Sequence, residues 1–258
     1  MQPTNKIRIV GSGKLAESLL MLFNQHSEYE VILVGRNAER VSELKLRFGL
    51  SANDDPSLLT PILLCVPDAQ IGNVAQTWID QASLFVHFSG ATSIAVLPKT
   101  SGGNAVCWPA QSFGDPASVV WKEVPMFTES DGEKGAQFLE SFLKITEAQS
   151  FALTSADRQK MHMTAVFMNN FVNHLAFTAR QYCLKNNLPF EALLPLMEKT
   201  VSMVRYPGPD IAQTGPARRN DQRTMQIHKD LIGDNPEMTE IYELLSNCLL
   251  YTSDAADE

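Results

Sequence analysis

The chain has 258 residues, of which 44% are hydrophobic and 19% charged, a balance that excludes wholesale disorder. Its formal net charge of −8 argues against a general nucleic-acid-binding protein. Its apolar runs are too short and too interrupted by polar residues to span a bilayer, and the first residues show no secretory signal pattern. We therefore expect a cytoplasmic protein of two domains that acts without membrane or nucleic acid.

The four cysteines are scattered and show no CxxC or Cys/His ligand spacing: Cys65, Cys107, Cys183 and Cys248. This pattern predicts buried or incidental thiols in a reducing compartment. No metal site is predicted from it.

The N-terminal segment carries the most informative motif. A β-branched run at residues 7–10 leads into Gly11-Ser12-Gly13-Lys14-Leu15-Ala16, and a helix-period apolar pattern follows at once. Strand, tight turn and helix in this order place backbone N–H groups where they can bind a pyrophosphate. Gly11 would make the turn, Gly13 would leave room for phosphates, and Ala16 would let helix and strand pack closely. We predict dinucleotide binding here, with a plain strand-to-helix turn as the alternative.

Strand-like and helical segments alternate through the first half, which is typical of a parallel sheet with crossover helices. The predicted strands are 7–10, 31–34, 62–66, 84–88 and 105–108, and helices are predicted from 15, over 37–48 with Asn37 as N-cap, and over 68–81. Two further strands should flank a helix over 133–144. We expect an α/β Rossmann-like domain over residues 1–152.

Strand signals stop near Thr154, and the remaining pattern is helical. Helices are predicted over 154–185, 188–204, 221–232 and 237–247, with a Pro/Gly-rich connection at 206–216. This predicts an all-α domain over 153–247. Residues 248–258 look like translated sequencing adaptor, a real acidic tail being the alternative.

The second strand ends in Gly35-Arg36-Asn37, without the acidic residue that would bind the ribose 2′-hydroxyl of NAD. Arg36, with Asn37 beside it and Arg40 one turn later, could instead bind a 2′-phosphate. One charge-assisted hydrogen bond stabilises by about 1.5–3 kcal/mol, enough to select NADP over NAD. A solvated arginine at a helix start is the alternative.

Two further strand ends supply candidate contacts, because loops at the carboxyl ends of parallel strands line the cofactor crevice. Val66 and Pro67 would flank the nucleotide, while Ser89 and Gly90 would approach nicotinamide or substrate. Alternatively, Ser89 is only a turn residue. His87 lies within an apolar strand, and we expect a core histidine there.

The helix from residue 157 is apolar on nearly every side, so we expect it to be buried. Within it, His162, Asn169 and Asn173 share one stripe at α-helical spacing, and Asn170 and His174 lie alongside. Buried amides without partners cost about 1–3 kcal/mol each, so the stripe should face a ligand, water or polar loops. A cleft between the domains would satisfy it, and a hydrogen-bonded ridge is the alternative.

A second basic segment follows the Gly215-Pro216 turn. Asn220 or Asp221 can cap the next helix, and Arg218 and Arg219 directly precede these two residues. In this acidic protein such a basic site, with Arg219 in it, could hold an anionic substrate or a cofactor phosphate. A capped helix with a solvated arginine pair is equally compatible with the pattern.

Together these pieces resemble a family of Rossmann-like proteins with a helical C-terminal domain of unknown function (domain of unknown function 2520), related to the pyrroline-5-carboxylate reductase and 6-phosphogluconate dehydrogenase superfamily. The resemblance extends to about residue 245. Its markers in the first half of the chain are Gly11-Ser12-Gly13 with Ala16, Val66-Pro67-Asp68, Ser89-Gly90, and Trp108-Pro109 with Gln111 and Phe113. Its markers in the helical half are His162 with Ala165, Val166, Phe167 and Asn170, and Gly215-Pro216 with Arg219 and Asp221. It implies a C-terminal domain like that of 6-phosphogluconate dehydrogenase, NADP as cofactor, and a homodimer through the helical domain.

Three positions depart from the family pattern, which usually has His at Trp108, Asn at Lys14 and Gly at Asn220. The lysine acid/base of several related dehydrogenases also has no evident match. Lys14 could still attract an anion at the phosphate loop.

Two hypotheses follow. The first is an NADP(H)-dependent oxidoreductase that acts on a small substrate between the domains. Its candidate catalytic residues are His162 as acid/base, Asn170 and Ser89, and its candidate substrate contacts are Asn169, Arg219 and Gly90. The second is a non-catalytic NADP(H)-binding sensor or regulatory protein.

Overall fold

The computed structural model describes residues 5–51 and 55–254, with side chains up to residue 250. The chain divides into two compact units, residues 1–169 and residues 170–258, which we call the sheet unit and the helical unit. The sheet unit extends past the expected domain boundary at 152 because the first helix after the last strand is bonded to loops and a strand of the sheet, as described below.

The sheet unit contains one seven-stranded sheet with the strand order β2-β1-β3-β4-β5-β6-β7. The strands are β1 Asn5–Val10, β2 Tyr29–Val34, β3 Thr60–Leu64, β4 Ala82–His87, β5 Ala105–Pro109, β6 Met126–Ser130 and β7 Ser150–Ala152. All neighbouring strands are parallel except β5 and β6. The predicted α/β fold is therefore confirmed, with one antiparallel pair that the pattern did not predict.

The described residues of the sheet unit form five α-helices: α1 Lys14–Phe23, α2 Ala38–Phe48, α3 Ile71–Thr77, α4 Glu133–Thr146 and α5 Ser155–Ala165. The predicted cap of α2 is confirmed, because the Asn37 side chain accepts a hydrogen bond from the Arg40 N–H at 3.0 Å. The helix expected over 68–81 is shorter than predicted. Its first and last three residues form 3₁₀ turns, and α3 ends before Trp78, whose φ is −111°.

Alternating strand residues pack on the two faces of the sheet. Ile9 and Val86 belong to one buried cluster, whereas Ile62 and Phe85 belong to the other. This period of two covers both faces with apolar side chains, as a sheet between two helical layers requires.

The helical unit contains α6 Val172–Lys185, α7 Leu194–Arg205, the single turn α8 Pro209–Ala212, α9 Gln222–Ile232 and α10 Pro236–Asp254. Of the two cap candidates for α9, Asp221 is the cap, since its Oδ1 accepts from the Thr224 N–H at 3.0 Å. The helix predicted over 237–247 continues to Asp254, so α10 includes the first residues of the expected tail. The predicted helical C-terminal region is confirmed.

The apolar helix expected to be buried is exposed in the single chain. Phe167 and Met168 are 59% and 63% exposed, and Phe177 on α6 is 53% exposed. The burial prediction is wrong for one chain alone, because more than half of each of these three side chains remains exposed. No helix in the described part is both long and apolar enough to cross a membrane.

Candidate functional site

A cavity of about 780 Å³ opens where β1, β2 and β3 end. In doubly wound sheets, ligands bind at the carboxyl ends of the strands, at the point where the strand order reverses. Here that point is β1, which has β2 on one side and β3 on the other. The cavity is lined by three loops and one helix: Gly11–Gly13, Gly35–Asn37, Cys65–Pro67, and Val74, Thr77 and Trp78. It therefore brings together eight of the predicted cofactor residues. Lys14, Leu15 and Ala16 form the first turn of α1, directly behind the loop.

The two motif glycines differ in what a side chain would meet. Gly11 has a φ of +128°, and a Cβ there would lie 2.0 Å from the Cys65 carbonyl oxygen. A Cβ on Gly13 would have no neighbour within 4 Å. Gly13 thus leaves open space before the N-terminus of α1, whose amides have no side-chain cap. This arrangement fits a diphosphate bound to free backbone N–H groups.

Of the two arginines near the end of β2, only Arg36 is available to a ligand. Arg36 is exposed and makes no hydrogen bond or ion pair with any residue the structure describes. Arg40 is bound to Glu43 and to the buried carboxylate of Glu17, which also binds Arg47. The prediction that Arg40 assists Arg36 is therefore wrong, because Glu17 already holds its guanidinium.

The Ser89 hydroxyl organises its own turn. It donates to Asp68 Oδ2 at 2.6 Å and accepts from the backbone N–H of Thr92 at 2.9 Å and of Ala91 at 3.2 Å. Its oxygen also lies 2.9 Å from Thr92 Oγ1, so the one proton and two acceptor lone pairs of the hydroxyl are fully used within the turn. The structure therefore favours the turn-residue alternative over a direct substrate contact.

His87 is fully buried at the end of β4, as expected for a core histidine. Its Nδ1 accepts from the Ser89 N–H at 3.2 Å. Burial and the nearby Arg158 charge lower the pKa of His87 to about 4. The ring is therefore neutral at physiological pH and does not exchange protons there.

His162 lies against the backbone of the loop after β4. A Cβ on Gly90 would come within 2.5 Å of His162 Cδ2 and 2.7 Å of Trp108 Cε2, so only glycine fits there. The His162 and Trp108 rings meet edge to face, with centroids 5.3 Å apart. The imidazole remains partly exposed, so it is both held and accessible.

The position of His162 follows from how α5 is anchored one turn earlier. Arg158, fully buried, binds Glu129 of β6 and donates to the Thr92 carbonyl at 2.6 Å. Gln159 Nε2 donates to the Ala91 carbonyl at 2.9 Å. Two bonds from the helix thus fix the loop that carries Gly90.

Sequence reasoning missed Arg158 and Glu129. Burial alone would raise the pKa of Glu129, but hydrogen bonds from Arg158 and Ser155 outweigh it and lower the pKa. The sequence did contain one indication of a buried ion pair: an arginine, Arg158, lies four residues before His162 on a helix expected to be buried. No sequence pattern indicated its partner Glu129, which lies 29 positions away.

The predicted stripe of His162, Asn169 and Asn173 does not keep its α-helical spacing. Residues 166–171 are π-helical, and the wider turn shifts every later residue around the helix axis. Asn169 donates to Ser112 Oγ in the loop after β5 at 2.8 Å. Asn170 and Arg219 are exposed residues of the helical unit.

Two sequence families match consecutive parts of the chain. Residues 6–87 match the family described as NADP oxidoreductase coenzyme F420-dependent, and residues 124–248 match Domain of unknown function (DUF2520). The predicted resemblance is confirmed. No curated protein matches the chain in sequence.

Solved structures agree with both matches. The "putative NADP oxidoreductase BF3122 from Bacteroides fragilis" is 27% identical with a TM-score of 0.84, over 97% of this chain and 100% of that chain. Protein TM1727 from Thermotoga maritima is 22% identical with a TM-score of 0.70, over 98% and 100%.

A third structure, the pyrroline-5-carboxylate reductase of Coxiella burnetii, is 13% identical with a TM-score of 0.57, over 98% of both chains. At 22% and 13% identity, the similarities to TM1727 and to the reductase show a shared fold. The chain thus has the oxidoreductase-like, NAD(P)-binding fold that the resemblance implies.

Proposed function

We propose that this protein is an NADP(H)-dependent oxidoreductase that acts on a small molecule. One observation carries the proposal: a cavity built from three strand-end loops lies at the edge of the sheet where α5 also holds His162 against Gly90. Bound nicotinamide would supply the hydride chemistry, while the chain would bind, orient and handle the proton.

The cofactor would be held in two places. The first-turn amides after Gly13 would bind the diphosphate, assisted by the positive charge of Lys14. Arg36 would bind the 2′-phosphate, with Asn37 beside it, and Val66 and Pro67 would flank the nucleotide. These roles make NADP the preferred cofactor.

His162 would be the acid/base group, because imidazole both donates and accepts protons near neutral pH. Trp108 and Gly90 restrict the ring on two sides, which reduces the orientational freedom that it would lose in a reaction. Asn169 and Asn170 would orient the substrate, and Arg219 would bind an anionic group on it. Ser89 would contribute by holding the backbone of its turn, and thereby Gly90, in place beside His162.

A titration of both nicotinamide nucleotides tests the cofactor assignment. We expect Arg36→Ala to weaken NADPH binding about 10- to 100-fold and to leave NADH binding nearly unchanged. Arg40→Ala is the matched control and should change NADPH affinity far less, because Glu17 and Glu43 hold that side chain. Equal wild-type affinities for NADPH and NADH would remove the NADP assignment.

Turnover of carbonyl and imine compounds tests the acid/base role. His162→Gln should abolish NADPH oxidation while leaving the NADPH dissociation constant within about threefold, since His162 does not line the cofactor cavity. Full activity in this variant would exclude His162. If the wild-type protein binds NADPH but oxidises it with none of the compounds, the sensor function replaces the enzyme.

A homodimer through the helical unit is part of the same proposal. Large apolar side chains are exposed along α6, α7 and α9, including Phe177, Leu196 and Leu231. Apolar surface of this extent is typical of an interface rather than of a free surface. For the compartment we propose the reducing cytoplasm, which suits four cysteines that form no disulfide among the described residues.

A further inference from the structure

Arg8 is a buried cation that the proposed reaction does not use. It lies in β1, between β2 and β3, with no exposed surface. Its guanidinium donates to Thr60 Oγ1 at 3.1 Å and to the Asp55 carbonyl at 3.3 Å. A buried charge is tolerated only where it is well compensated, which raises the question of what this one holds in place.

Arg8 also contacts the ring of Trp78. The guanidinium carbon lies 5.2 Å from the ring centroid, a distance typical of a cation–π contact. Trp78 follows α3 and also lines the cofactor cavity. Arg8 therefore contacts an aromatic ring that also borders the proposed nucleotide site.

The chemistry of NADP places the base near this ring. Its 2′-phosphate and its base are attached to the same ribose, so a phosphate at Arg36 keeps the base within one sugar of that side chain. In the same cavity, Val34, Val66 and Val74 add apolar surface next to Trp78. A planar base suits such a wall, because base–aromatic stacking is favourable.

We propose that Trp78, held by Arg8, is the residue that binds the adenine base of the nucleotide. This proposal rests on the proposed function only in that a dinucleotide occupies the cavity.

Thr77 indicates why the base is adenine. Its hydroxyl donates to the Val74 carbonyl at 2.8 Å, which leaves the oxygen lone pairs as acceptors at the cavity wall. The exocyclic amino group of adenine is a donor, whereas the corresponding oxygen of hypoxanthine is an acceptor. We therefore expect NADPH to bind more tightly than its hypoxanthine analogue.

Fragment titration of two Trp78 variants tests the proposal. Trp78→Ala should weaken NADPH and 2′,5′-ADP by the same factor, about tenfold or more, and leave reduced nicotinamide mononucleotide unaffected. Trp78→Phe keeps a ring and should stay within about threefold of wild type. Gln76→Ala, an exposed α3 position outside the cavity lining, is the control.

A second readout does not depend on affinity. Stacking of adenine on an indole ring quenches tryptophan emission by direct contact, so 2′,5′-ADP, which carries no nicotinamide, should quench the wild-type protein, and Trp78→Phe should remove that quenching. Unchanged 2′,5′-ADP affinity in Trp78→Ala, with a wild-type unfolding temperature, would overturn the proposal. If the wild-type protein binds neither NADPH nor 2′,5′-ADP, the proposed function itself fails.

Discussion

The sheet unit and the helical unit differ in how far they bury their apolar side chains. In the sheet unit, side chains such as Ile9, Leu33 and Phe85 have no exposed surface. In the described part of the helical unit, the buried apolar side chains are Cys183, Ala217, Met225 and Ile232. Leu196 and Ile211 there are 66% and 71% exposed.

This difference concerns how much apolar surface each unit buries within its own chain. The sheet unit has apolar clusters on both faces and buries them within one chain. In the described part of the helical unit, by contrast, many large apolar side chains of the helices remain exposed. Such helices gain most of their stability from packing, which a second copy can provide.

The largest effect is expected at Gly11. Gly11→Ala forces a Cβ to within 2.0 Å of the Cys65 carbonyl oxygen at a φ of +128°. We expect a loss of about 3 kcal/mol or more in the unfolding free energy of the sheet unit, measured by chemical denaturation. Gly13→Ala is the control, since it meets nothing within 4 Å. It should keep the stability and lose NADPH affinity, and equal stability of both variants would contradict the structure.

The next effect concerns pH. The pKa of His87 is about 4 in the folded protein, because burial and the Arg158 charge disfavour its charged form. The unfolded chain, with an ordinary histidine pKa near 6.5, then binds more protons in mildly acidic solution. The sheet unit should therefore lose about 2 kcal/mol between pH 7 and pH 5. In His87→Gln this loss should disappear, and an unchanged pH profile in the variant would refute the assignment.

The surface of the helical unit gives an intermediate effect. Phe177→Asp places a charge on the exposed face of α6, and we expect the dimer dissociation constant to rise at least about tenfold in sedimentation equilibrium. Leu46→Asp is the control, because Leu46 is 87% exposed in the sheet unit. A wild-type protein that stays monomeric at high concentration would remove the proposed interface.

The smallest effects come from the helix caps. Asn37→Ala and Asp221→Ala each remove a side-chain acceptor from a helix N-terminus, which costs about 1 kcal/mol. If the units unfold separately, each substitution should shift only the calorimetric transition of its own unit. A shift of both transitions by either variant would show that the units unfold together.

Local patterns predicted most of the fold. Short, nearly continuous apolar runs predicted five strands near their observed places, and Asn37 marked the start of α2 because a cap acts within three residues. The direction of β6 against β5 was not predictable, since pairing depends on residues far apart in sequence. The π-helical turns at 166–171 also broke a stripe that assumed α-helical spacing.

The candidate site was predictable only in part. The glycines act through their own backbone, so their spacing was sufficient. The long-range ion pairs were not predictable: Glu17 reaches Arg40 across 23 positions, and Glu129 reaches Arg158 across 29. These pairs decide which cation is free and where His162 lies.

The Glu17 contacts have a consequence for how the protein could change over time. With Arg40 and Arg47 both bound to Glu17, the proposed recognition of the 2′-phosphate depends on one exposed side chain, Arg36. A preference that depends on one position can be reversed by one codon, and an acidic residue in place of Arg36 would turn the same groove toward the unphosphorylated coenzyme.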